Sequence, residues 1–593
     1  MCTPNVALPA DSADPMAACS QFTHYDLHLL AQSSPESPLR VVALVDYDSF
    51  YAQYEAVRLG LPASQPLAVR QWNAIIALNY PAKQHGLKRG ISVDEARRLC
   101  PGITIQHIPT WREGDDQWRY REDVLDHLTT DKASLDPYRH MSRKTIQLVR
   151  DLFPASPDPI IERASVDEFY LDLSTQVYRT LLDRFPDITS DTISTQKLPL
   201  PAVKNPLNWQ MDRVMNPPER GDHGESPDWD DVALSVGADI VRNIREHIKQ
   251  RLRLTTSAGV SHNKLLAKVA SRMQKPAGQT VIRTKSIGSV LSALKATSLP
   301  GLGRQLGQKA VQGLGSDNIF DLLQVPLATM ITQLGSEQGH RVYAAIRGAD
   351  RGAVVPRCQV QSLLSAKTFV PPVASLQQAS KWLRIFAADL EARLHDLDVS
   401  SDFPRRPKTI AVHHHVRGRF GPTRSKQAPI ALQTMINQDT LFDLSYALLT
   451  ALTADGESWP CQSISVSLLN MDSRAPEKGR ITSFFAPSAV HSSQRRRRSS
   501  SGPEINVENE RKKKMRSSIE HLEPTEMSDT SSISVVDGRG TSSGVLTSPS
   551  LPWRESQYEC PLCNGSVEPE DVLEHLDWHV AEQIQHQENE PKR

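Results

Sequence analysis

The chain has 593 residues, of which 39% are hydrophobic, and it carries 68 basic against 68 acidic side chains. At roughly 150 residues per domain this length predicts about four domains, and the modest hydrophobic share predicts disordered stretches beside a folded body. The zero net charge excludes a uniformly basic chromatin protein but not a nucleic-acid binder with local patches, and no run of 18 apolar residues is present to form a transmembrane helix.

The start of the chain gives no targeting signal and no packed element. The first 39 residues contain no Lys or Arg, which argues against a secretory signal and a mitochondrial transit peptide. Residues 1–38 are rich in Pro, Ala and Ser without an apolar period, so we expect them to be disordered. Five of the seven cysteines are scattered, which is typical of a reducing compartment and not of a disulfide framework.

Strand and helix patterns alternate from residue 41 to about residue 470. Residues 41–45 form a short apolar run typical of a buried strand. Further patterns predict helices over residues 236–254, 262–273 and 381–394, and strands over residues 255–260, 409–416 and 463–469. Residues 175–231 have weak periodicity and predict a surface insertion. Residues 486–552 contain no aromatic side chain, so we expect a disordered linker there.

Acidic residues stand beside two apolar strands. Asp46 and Asp48 follow the first strand, and the adjacent Asp167 and Glu168 precede the second. Three or four carboxylates from two strands suit a pair of hard divalent cations, which prefer oxygen ligands. Two such ions roughly 3.5–4 Å apart can activate an attacking hydroxyl and stabilise a leaving pyrophosphate. The alternative is that these acids only solubilise the strand ends.

Residues 46–51, Asp-Tyr-Asp-Ser-Phe-Tyr, and residues 162–168, Glu-Arg-Ala-Ser-Val-Asp-Glu, resemble the two metal-binding motifs of Y-family translesion DNA polymerases. Residues 75–89, 134–144 and 257–276 resemble segments of the eta branch of that family in its fungal form. The resemblance covers about residues 40–475 and the tail. It implies an α+β multidomain fold, a right-hand polymerase of palm, fingers and thumb with a Y-family little finger, a disordered linker and a C-terminal ββα-type zinc finger.

The resemblance also implies an order of domains along the chain. After the N-terminal extension, the expected domains are the first part of the palm (39–53), the fingers (54–99), the second part of the palm (100–290), the thumb (291–358), the little finger (359–472), the linker (473–552) and the zinc finger (553–593).

Site residues follow from the same resemblance. Asp46, Asp167 and Glu168 would be the catalytic ligands of two Mg²⁺ ions, helped by the backbone carbonyl of Tyr47. The residues implied in nucleotide binding are Phe50 in the pocket, Tyr51 excluding a 2′-hydroxyl, Tyr80, Lys83 and Lys275 on the triphosphate, and Arg89 over the base. Lys83 stands where the eta branch often has Arg, and Lys loses the bidentate fork. Gln71 is the nearest candidate for a glutamine that contacts the template base.

Three further features suggest contacts with DNA. Residues 239–275 hold nine basic side chains against two acidic ones, and they border the expected phosphate site. The Gly-rich residues 299–307 predict a tight turn that opens a helix, and they resemble the helix-hairpin-helix of the family's thumb. His413, His414 and His415 share one predicted strand, and we expect them to be exposed or to face DNA, in preference to binding a metal.

The tail carries a zinc-binding pattern, with ligands Cys560, Cys563, His575 and His579 at C-x2-C-x11-H-x3-H spacing. We expect one structural Zn²⁺ that supplies most of the stability of this module. Its helix is acidic, which disfavours a phosphate contact. The helix resembles the ubiquitin-binding finger of the same polymerases, in which Asp577 would accept hydrogen bonds from ubiquitin.

Two recruitment signals precede the tail. Ile481, Phe484 and Phe485 resemble a box that binds the sliding clamp PCNA, with Lys478 in place of the usual Gln. The alternative is that this aromatic pair closes the last strand of the little finger. Basic clusters at residues 495–498 and 511–514 indicate a nuclear signal, a DNA-tethering patch, or both.

Together these features predict a nuclear, lesion-bypassing DNA polymerase. It would transfer nucleotides from a dNTP to a primer–template DNA, and ubiquitinated PCNA would recruit it; no membrane partner is expected. One alternative is a non-catalytic polymerase-like scaffold. Another is a zinc-finger DNA-binding regulator, which would need a basic finger helix.

Overall fold

The structure is a computed structural model that describes residues 19–153, 159–189, 194–203, 207–216, 227–303, 305–356, 360–399, 405–416, 423–454, 458–473, 558–559 and 566–567. Contacts divide the chain into two units, and all described residues belong to the unit made of Met1–Ala475 and Gln557–Arg593. Over the described ranges, no helix combines the length and apolar character needed to span a bilayer.

Within the described ranges, the strands form one six-stranded, one four-stranded and one three-stranded sheet and three two-stranded ribbons. In chain order they are β1 (Cys19–Thr23), β2 (Val42–Tyr47), β3 (Leu67–Gln71), β4 (Ala74–Leu78), β5 (Thr104–His107), β6 (Thr110–Trp111), β7 (Lys132–Ala133), β8 (Ile160–Arg163), β9 (Glu168–Asp172), β10 (Lys197–Pro199), β11 (Arg213–Met215), β12 (Thr256–Ser261), β13 (Gln279–Ile282), β14 (Leu363–Val373), β15 (Arg405–Val416), β16 (Thr423–Pro429), β17 (Cys461–Ser473), β18 (Tyr558–Glu559) and β19 (Ser566–Val567).

Helices surround these sheets. The α-helices are α1 (His24–Ala31), α2 (Phe50–Leu59), α3 (Tyr80–Gln84), α4 (Val93–Leu99), α5 (Asp136–Asp151), α6 (Ser174–Arg184), α7 (Trp229–Leu252), α8 (Lys264–Ser271), α9 (Ile287–Ser292), α10 (Gln305–Leu314), α11 (Ile319–Leu322), α12 (Leu327–Leu334), α13 (Ser336–Ala345), α14 (Leu376–Val399) and α15 (Gln438–Leu452). The predicted helices and strands are confirmed in type, and most extend a few residues beyond the predicted bounds, because packing continues past the apolar pattern.

The six-stranded sheet has the order β11-β13-β12-β2-β9-β8. Its central strand β2 is buried on both faces, which explains its unbroken apolar run. Val45 and its neighbours on one face join the core formed with α5, α6 and α7, whereas Leu44 on the other face packs with residues that include Ala267 of α8. Gly259 permits the close approach of α8, since a Cβ there would lie 2.1 Å from the Ala267 carbonyl oxygen.

The prediction of disorder over residues 1–38 is wrong from residue 19 onward. Strand β1 pairs with β10, and Thr23 and Asp26 form a capping box at the start of α1. Leu27 and Leu30 are buried, and α1 packs against α6. This segment is ordered because its few apolar residues reach an existing core, which a count of its composition does not reveal. Residues 1–18 lie outside the described residues.

The predicted surface insertion, residues 175–231, also contributes to the core. Helix α6 buries Val177 and Leu181, and β10 buries Leu198. Trp229 begins α7 fully buried and donates its indole N–H to the Pro199 carbonyl at 2.8 Å. The segment lacks a clear apolar period because each of its short elements contributes only one or two buried apolar residues to the core. The prediction of a surface insertion, which was based on this weak periodicity, is therefore wrong.

Two more modules complete the body. Helices α9 to α13 share a core with α8 that includes Leu266 and Leu299. The four-stranded sheet, in the order β14-β17-β15-β16, packs against α14 and α15. Trp111 of strand β6 joins the core of this last module. A buried ion pair between Lys132 and Asp389, 2.9 Å apart, links the same two regions.

Candidate active site

Neighbouring strands bring the three predicted carboxylates to one edge of the six-stranded sheet. Asp46 on β2 is the direct register partner of Glu168 on β9. Asp167 lies in the turn just before β9, and its carbonyl accepts a hydrogen bond from the Tyr47 backbone N–H at 2.9 Å. The turn itself is closed by the backbone N–H groups of Ala164 and Ser165, which both donate to the Glu168 carbonyl.

Two lysine side chains enter this acidic edge. The Lys268 ammonium contacts both Asp46 and Glu168, and the Lys275 ammonium contacts Asp46. Burial lowers the pKa of Lys268, although Asp46 beside it opposes that shift. Within the described ranges, no three acidic, histidine or cysteine side chains converge as a ready metal cluster, and the ammonium groups stand among the carboxylates. The donor set nevertheless fits magnesium by its chemistry, because it offers oxygen ligands that already face positive charge.

Lys268 was not singled out as a site residue from the sequence. It was counted only as part of the basic run over residues 239–275. Two members of that run form ion pairs with carboxylates of the fold: Arg242 pairs with Asp212, and Lys264 pairs with Glu162. Both side chains are therefore held by the fold, and the expected contact of the basic run with DNA stays a prediction. Lys264 and Lys268 are four residues apart and therefore lie on one side of a short helix. This spacing is the sequence signal that could have distinguished these two lysines from the rest of the basic run.

A second group of predicted residues lies beside the carboxylates. The Lys83 ammonium donates to the Ser49 hydroxyl at 2.9 Å and sits 4.6 Å from the centre of the Tyr80 ring. Burial, with Asp48 and Asp46 nearby, raises the pKa of Tyr80 to about 12, so its hydroxyl stays a donor at neutral pH. Burial lowers the pKa of Lys83, and the charges of Arg89 and Lys275 lower it further. Such a concentration of positive charge favours a polyanion.

Aromatic rings form a stack at the start of α2. The Tyr47 and Phe50 rings are stacked with centroids 4.4 Å apart, and Tyr51 stacks on Tyr138 at 4.1 Å. Burial raises the pKa of Tyr51 to about 12, with the Asp167 charge as a second cause. Tyr47, whose carbonyl was predicted to assist the metals, hydrogen-bonds through its phenol to Thr145. The predicted pocket residues Phe50 and Tyr51 thus lie next to the carboxylates, in one aromatic group.

A fully buried glutamate supports this stack and was missed from the sequence. Glu55, 0% exposed, accepts hydrogen bonds from the hydroxyls of Tyr120 and Tyr138, each at 2.7 Å. Its other oxygen pairs with the Arg58 guanidinium at 2.6 Å. Because Tyr138 stacks on Tyr51, Glu55 fixes the support behind the ring that was predicted to face the sugar. Glu55 falls on the buried side of α2, and that pattern was its only signal in the sequence.

Other predicted residues lie away from the carboxylates. Gln71 is buried at the end of β3. The turn at residues 299–303 does precede a helix, and Gly301 adopts a φ of +78° there. The expectation that all three histidines are exposed is wrong for His414, which is fully buried with its ring 5.4 Å from Trp459. His413 is exposed, because successive residues of a strand face opposite sides.

The predicted clamp box (Ile481, Phe484 and Phe485) and the zinc and ubiquitin residues (Cys560, Cys563, His575, Asp577 and His579) lie outside the described residues. In the tail, the described strands β18 and β19, which flank Cys560 and Cys563 in the sequence, pair as an antiparallel ribbon.

Comparison with known families agrees with the site. Residues 45–272 match the model of the impB/mucB/samB family, and residues 360–482 match the model of that family's C-terminal domain. Residues 556–587 match the ubiquitin-binding zinc finger, a range that contains all four predicted zinc ligands.

Curated relatives point the same way. The chain is 32% identical over 585 residues to "N-acetyltransferase eso1" of Schizosaccharomyces pombe, covering 96% of this chain and 65% of that protein. It is 27% identical to "DNA polymerase eta" of Saccharomyces cerevisiae, covering 76% of this chain and 80% of that one. It is 30% identical to "DNA polymerase eta" of Arabidopsis thaliana, over 70% of this chain and 59% of that protein. The chain therefore spans less than two thirds of two of these three relatives. With both polymerase family models and the finger matched, the chain belongs to the impB/mucB/samB family, the Y family of DNA polymerases.

Proposed function

We propose that this chain is a template-directed DNA polymerase that performs translesion synthesis, including past UV-induced thymine dimers. The observation that carries the proposal is the register pairing of Asp46 with Glu168, which brings Asp167 and Glu168 to the same sheet edge as Asp46. Around that edge lie the phosphate-binding candidates Lys83 and Lys275 and the aromatic stack of Tyr51. The relatives named DNA polymerase eta support the same activity.

In this proposal Asp46, Asp167 and Glu168, with the Tyr47 carbonyl, hold two magnesium ions. When bound, such ions activate the primer 3′-hydroxyl toward the α-phosphate and stabilise the leaving pyrophosphate. Tyr80 donates its phenolic proton to a phosphate oxygen, and the ammonium groups of Lys83 and Lys275 neutralise the triphosphate. Arg89 is exposed on the fingers side and lies over the incoming base.

The ring of Tyr51 limits the space beside the sugar. Because Tyr138 lies against it with nearly parallel planes, 19° apart, the ring cannot turn aside without breaking that stack. A ribonucleotide carries an extra hydroxyl at the 2′ position and would meet this ring. The chain's own aromatic group thus supplies the discrimination between sugars.

The modules take the roles of a right-handed polymerase. The six-stranded sheet is the palm, the region of β3 to β5 is the fingers, and α9 to α13 form the thumb with a helix-hairpin-helix after Leu299. The four-stranded sheet with α14 and α15 is the little finger. Lys132 and Asp389 would then join the palm to the little finger.

Recruitment is proposed to act through the tail. The zinc finger, with Zn²⁺ on Cys560, Cys563, His575 and His579, would bind ubiquitin on the sliding clamp PCNA through Asp577. The box at Ile481, Phe484 and Phe485 would contact the clamp itself, and a basic cluster would direct the chain to the nucleus. The match of residues 556–587 to a ubiquitin-binding finger supports the first of these steps.

Primer extension by the full chain with Mg²⁺ tests the proposal. It would use one undamaged template and one with a cis-syn thymine dimer, with Asp167→Ala as the variant and Asp183→Ala as a control on the exposed end of α6. We expect extension on both templates, lost in Asp167→Ala with DNA binding retained. Extension only on the undamaged template would leave a polymerase with another lesion preference. No extension on either would favour a scaffold that only recruits partners.

Ubiquitin binding is tested separately from synthesis. Asp577→Ala in the full chain should keep its zinc content and its primer extension, because the residue is not a predicted ligand. Its affinity for ubiquitin, measured by calorimetric titration, should fall. Unchanged affinity would assign ubiquitin binding to another part of the finger.

A further inference from the structure

We infer that Asp48 is a positioning residue that holds the backbone carrying Lys275, an inference that rests on the proposed function of this site. Asp48 is two residues from Asp46, yet its carboxylate is occupied by other groups. It is 1% exposed and accepts from the Ser257 hydroxyl at 2.6 Å through one oxygen. Its other oxygen accepts from the Thr255 hydroxyl and from the Ala277 backbone N–H, both at 2.9 Å.

These contacts make Asp48 a bridge between β12 and the loop that follows α8. Ser257 lies in β12, next in the sheet to β2, and Thr255 immediately precedes this strand. Ala277 lies between Lys275 and β13. With three donors satisfied, the Asp48 carboxylate is committed to this bridge, which separates its role from that of Asp46.

The peptide units on both sides of Ala277 are held. The Ala277 N–H donates to Asp48, and the Ala277 carbonyl accepts from the Arg245 guanidinium at 2.7 Å. Ala277 has a φ of +57°, a left-handed conformation that an alanine rarely adopts. Such a conformation persists only where the surroundings impose it, and here the two hydrogen bonds do so.

Lys275 stands two residues before this clamped position. Its ammonium contacts Asp46, and its charge contributes to lowering the pKa of Lys83. A lysine is a point charge on a flexible stem, so the place of its ammonium depends on the backbone that carries it. Asp48 therefore acts on a bound triphosphate through Lys275 and does not touch the nucleotide itself.

Asp48→Leu isolates this role because it keeps the branched shape of the side chain but offers no acceptor oxygen. It therefore releases the Ala277 N–H together with the Ser257 and Thr255 hydroxyls. Lys275→Ala removes the charge that the loop presents. If Asp48 acts through Lys275, the effects of the two substitutions on nucleotide affinity should not add. Ser257→Ala, which leaves the Ala277 contact in place, is the matched control.

The measurement is the dissociation constant of an α,β-imido dATP analogue with Mg²⁺, titrated into the full chain bound to primer–template DNA. We expect Lys275→Ala and Asp48→Leu each to weaken binding by roughly tenfold, which corresponds to about 1.4 kcal/mol. The double variant should bind no more weakly than Lys275→Ala alone, and Ser257→Ala should bind nearly as wild type. Asp48→Leu binding as wild type, or adding its full factor to Lys275→Ala, would overturn the inference.

Folding of each variant is checked by circular dichroism before titration. Should Asp48→Leu not fold, Ala277→Gly replaces it in the same cycle, since glycine accepts the positive φ but widens the range of loop conformations. It should weaken binding in the wild type and add nothing to Lys275→Ala, and an additive effect would again refute the inference.

Primer extension by the wild-type chain separates this inference from the proposed function. If the effects on nucleotide binding are non-additive but the wild-type chain extends no primer, the proposed polymerase activity is refuted and the positioning role of Asp48 is supported. If the wild-type chain extends the primer but the binding effects are additive, the polymerase activity is supported and the positioning role is refuted. A wild-type chain that binds no analogue overturns both.

Discussion

The buried Glu55 offers a sharp test of how the aromatic stack is held. In Glu55→Gln, the one remaining oxygen can still accept from Tyr120 and Tyr138, but the new amide N–H₂ faces the Arg58 Nε–H donor across a 2.6 Å contact. The charge-assisted hydrogen bond from Arg58 to the fully buried carboxylate is lost, and the hydroxyls of Tyr120 and Tyr138 now donate to a neutral amide oxygen. Discounting for Arg58, whose side chain is 29% exposed, we expect unfolding free energy to fall by about 2–4 kcal/mol.

Equilibrium urea unfolding of the full chain, followed by circular dichroism, measures this change. Tyr120→Phe removes one of the two tyrosine bonds and should cost about 1 kcal/mol. Glu122→Gln, at an exposed position, should stay within about 0.5 kcal/mol of wild type. If Glu55→Gln shifted the unfolding midpoint no more than Glu122→Gln does, the hydrogen bonds of Glu55 would not hold the stack.

The same variant has a functional consequence. The hydrogen bond from Tyr138 to a neutral acceptor at residue 55 is weaker and loosens Tyr138, and Tyr138 supports Tyr51 through their stacked rings. The ratio of dNTP to rNTP incorporation should therefore fall in Glu55→Gln, while extension with dNTP continues. Unchanged discrimination in a measurably destabilised variant would limit Glu55 to a structural role.

Two further predictions concern stability. Lys132→Met removes the charged partner of the Asp389 carboxylate, which is 1% exposed and also accepts from the Ser365 hydroxyl, so it should cost about 3–5 kcal/mol. Lys132→Met with Asp389→Leu should recover most of that loss, and a single variant no less stable than the double one in urea unfolding would contradict this. Burial lowers the pKa of His107 to about 4, below its ordinary value, and its Nε2 accepts from the Trp72 backbone N–H at 2.8 Å, which requires the neutral ring. In the unfolded chain the pKa of His107 is near 6.5, so its ring takes up a proton as the pH falls below that value, whereas the ring in the folded chain stays neutral down to about pH 4. The free energy of unfolding should therefore fall by about 2 kcal/mol between pH 7 and pH 5 through this residue. His107→Gln should flatten that part of the pH dependence, and an equally steep dependence in the variant would refute the assignment.

Local sequence determined the strand that delivers Asp46, the acidic pair that opens β9, and the ligand spacing of the tail, because each depends on neighbours within a few residues. Periodicity also located helix α7 and, in the last module, strands β15 and β17 but not β14 and β16. Periodicity did not predict the ordered elements within residues 19–31 and 175–231, because there a few isolated apolar residues pack into a core that other segments build.

The partners of the site residues were decided only by the tertiary structure. Glu55 meets Tyr120 and Tyr138 across 65 and 83 residues, Lys268 meets Glu168 across 100, and Lys275 meets Asp46 across 229. No periodic pattern spans such separations, because they depend on strand register and on which helix covers which face. The acidic pattern alone did not distinguish Asp46 from Asp48, and the fold separates them: β9 and two lysines surround Asp46, whereas the Thr255 and Ser257 hydroxyls and the Ala277 amide occupy Asp48.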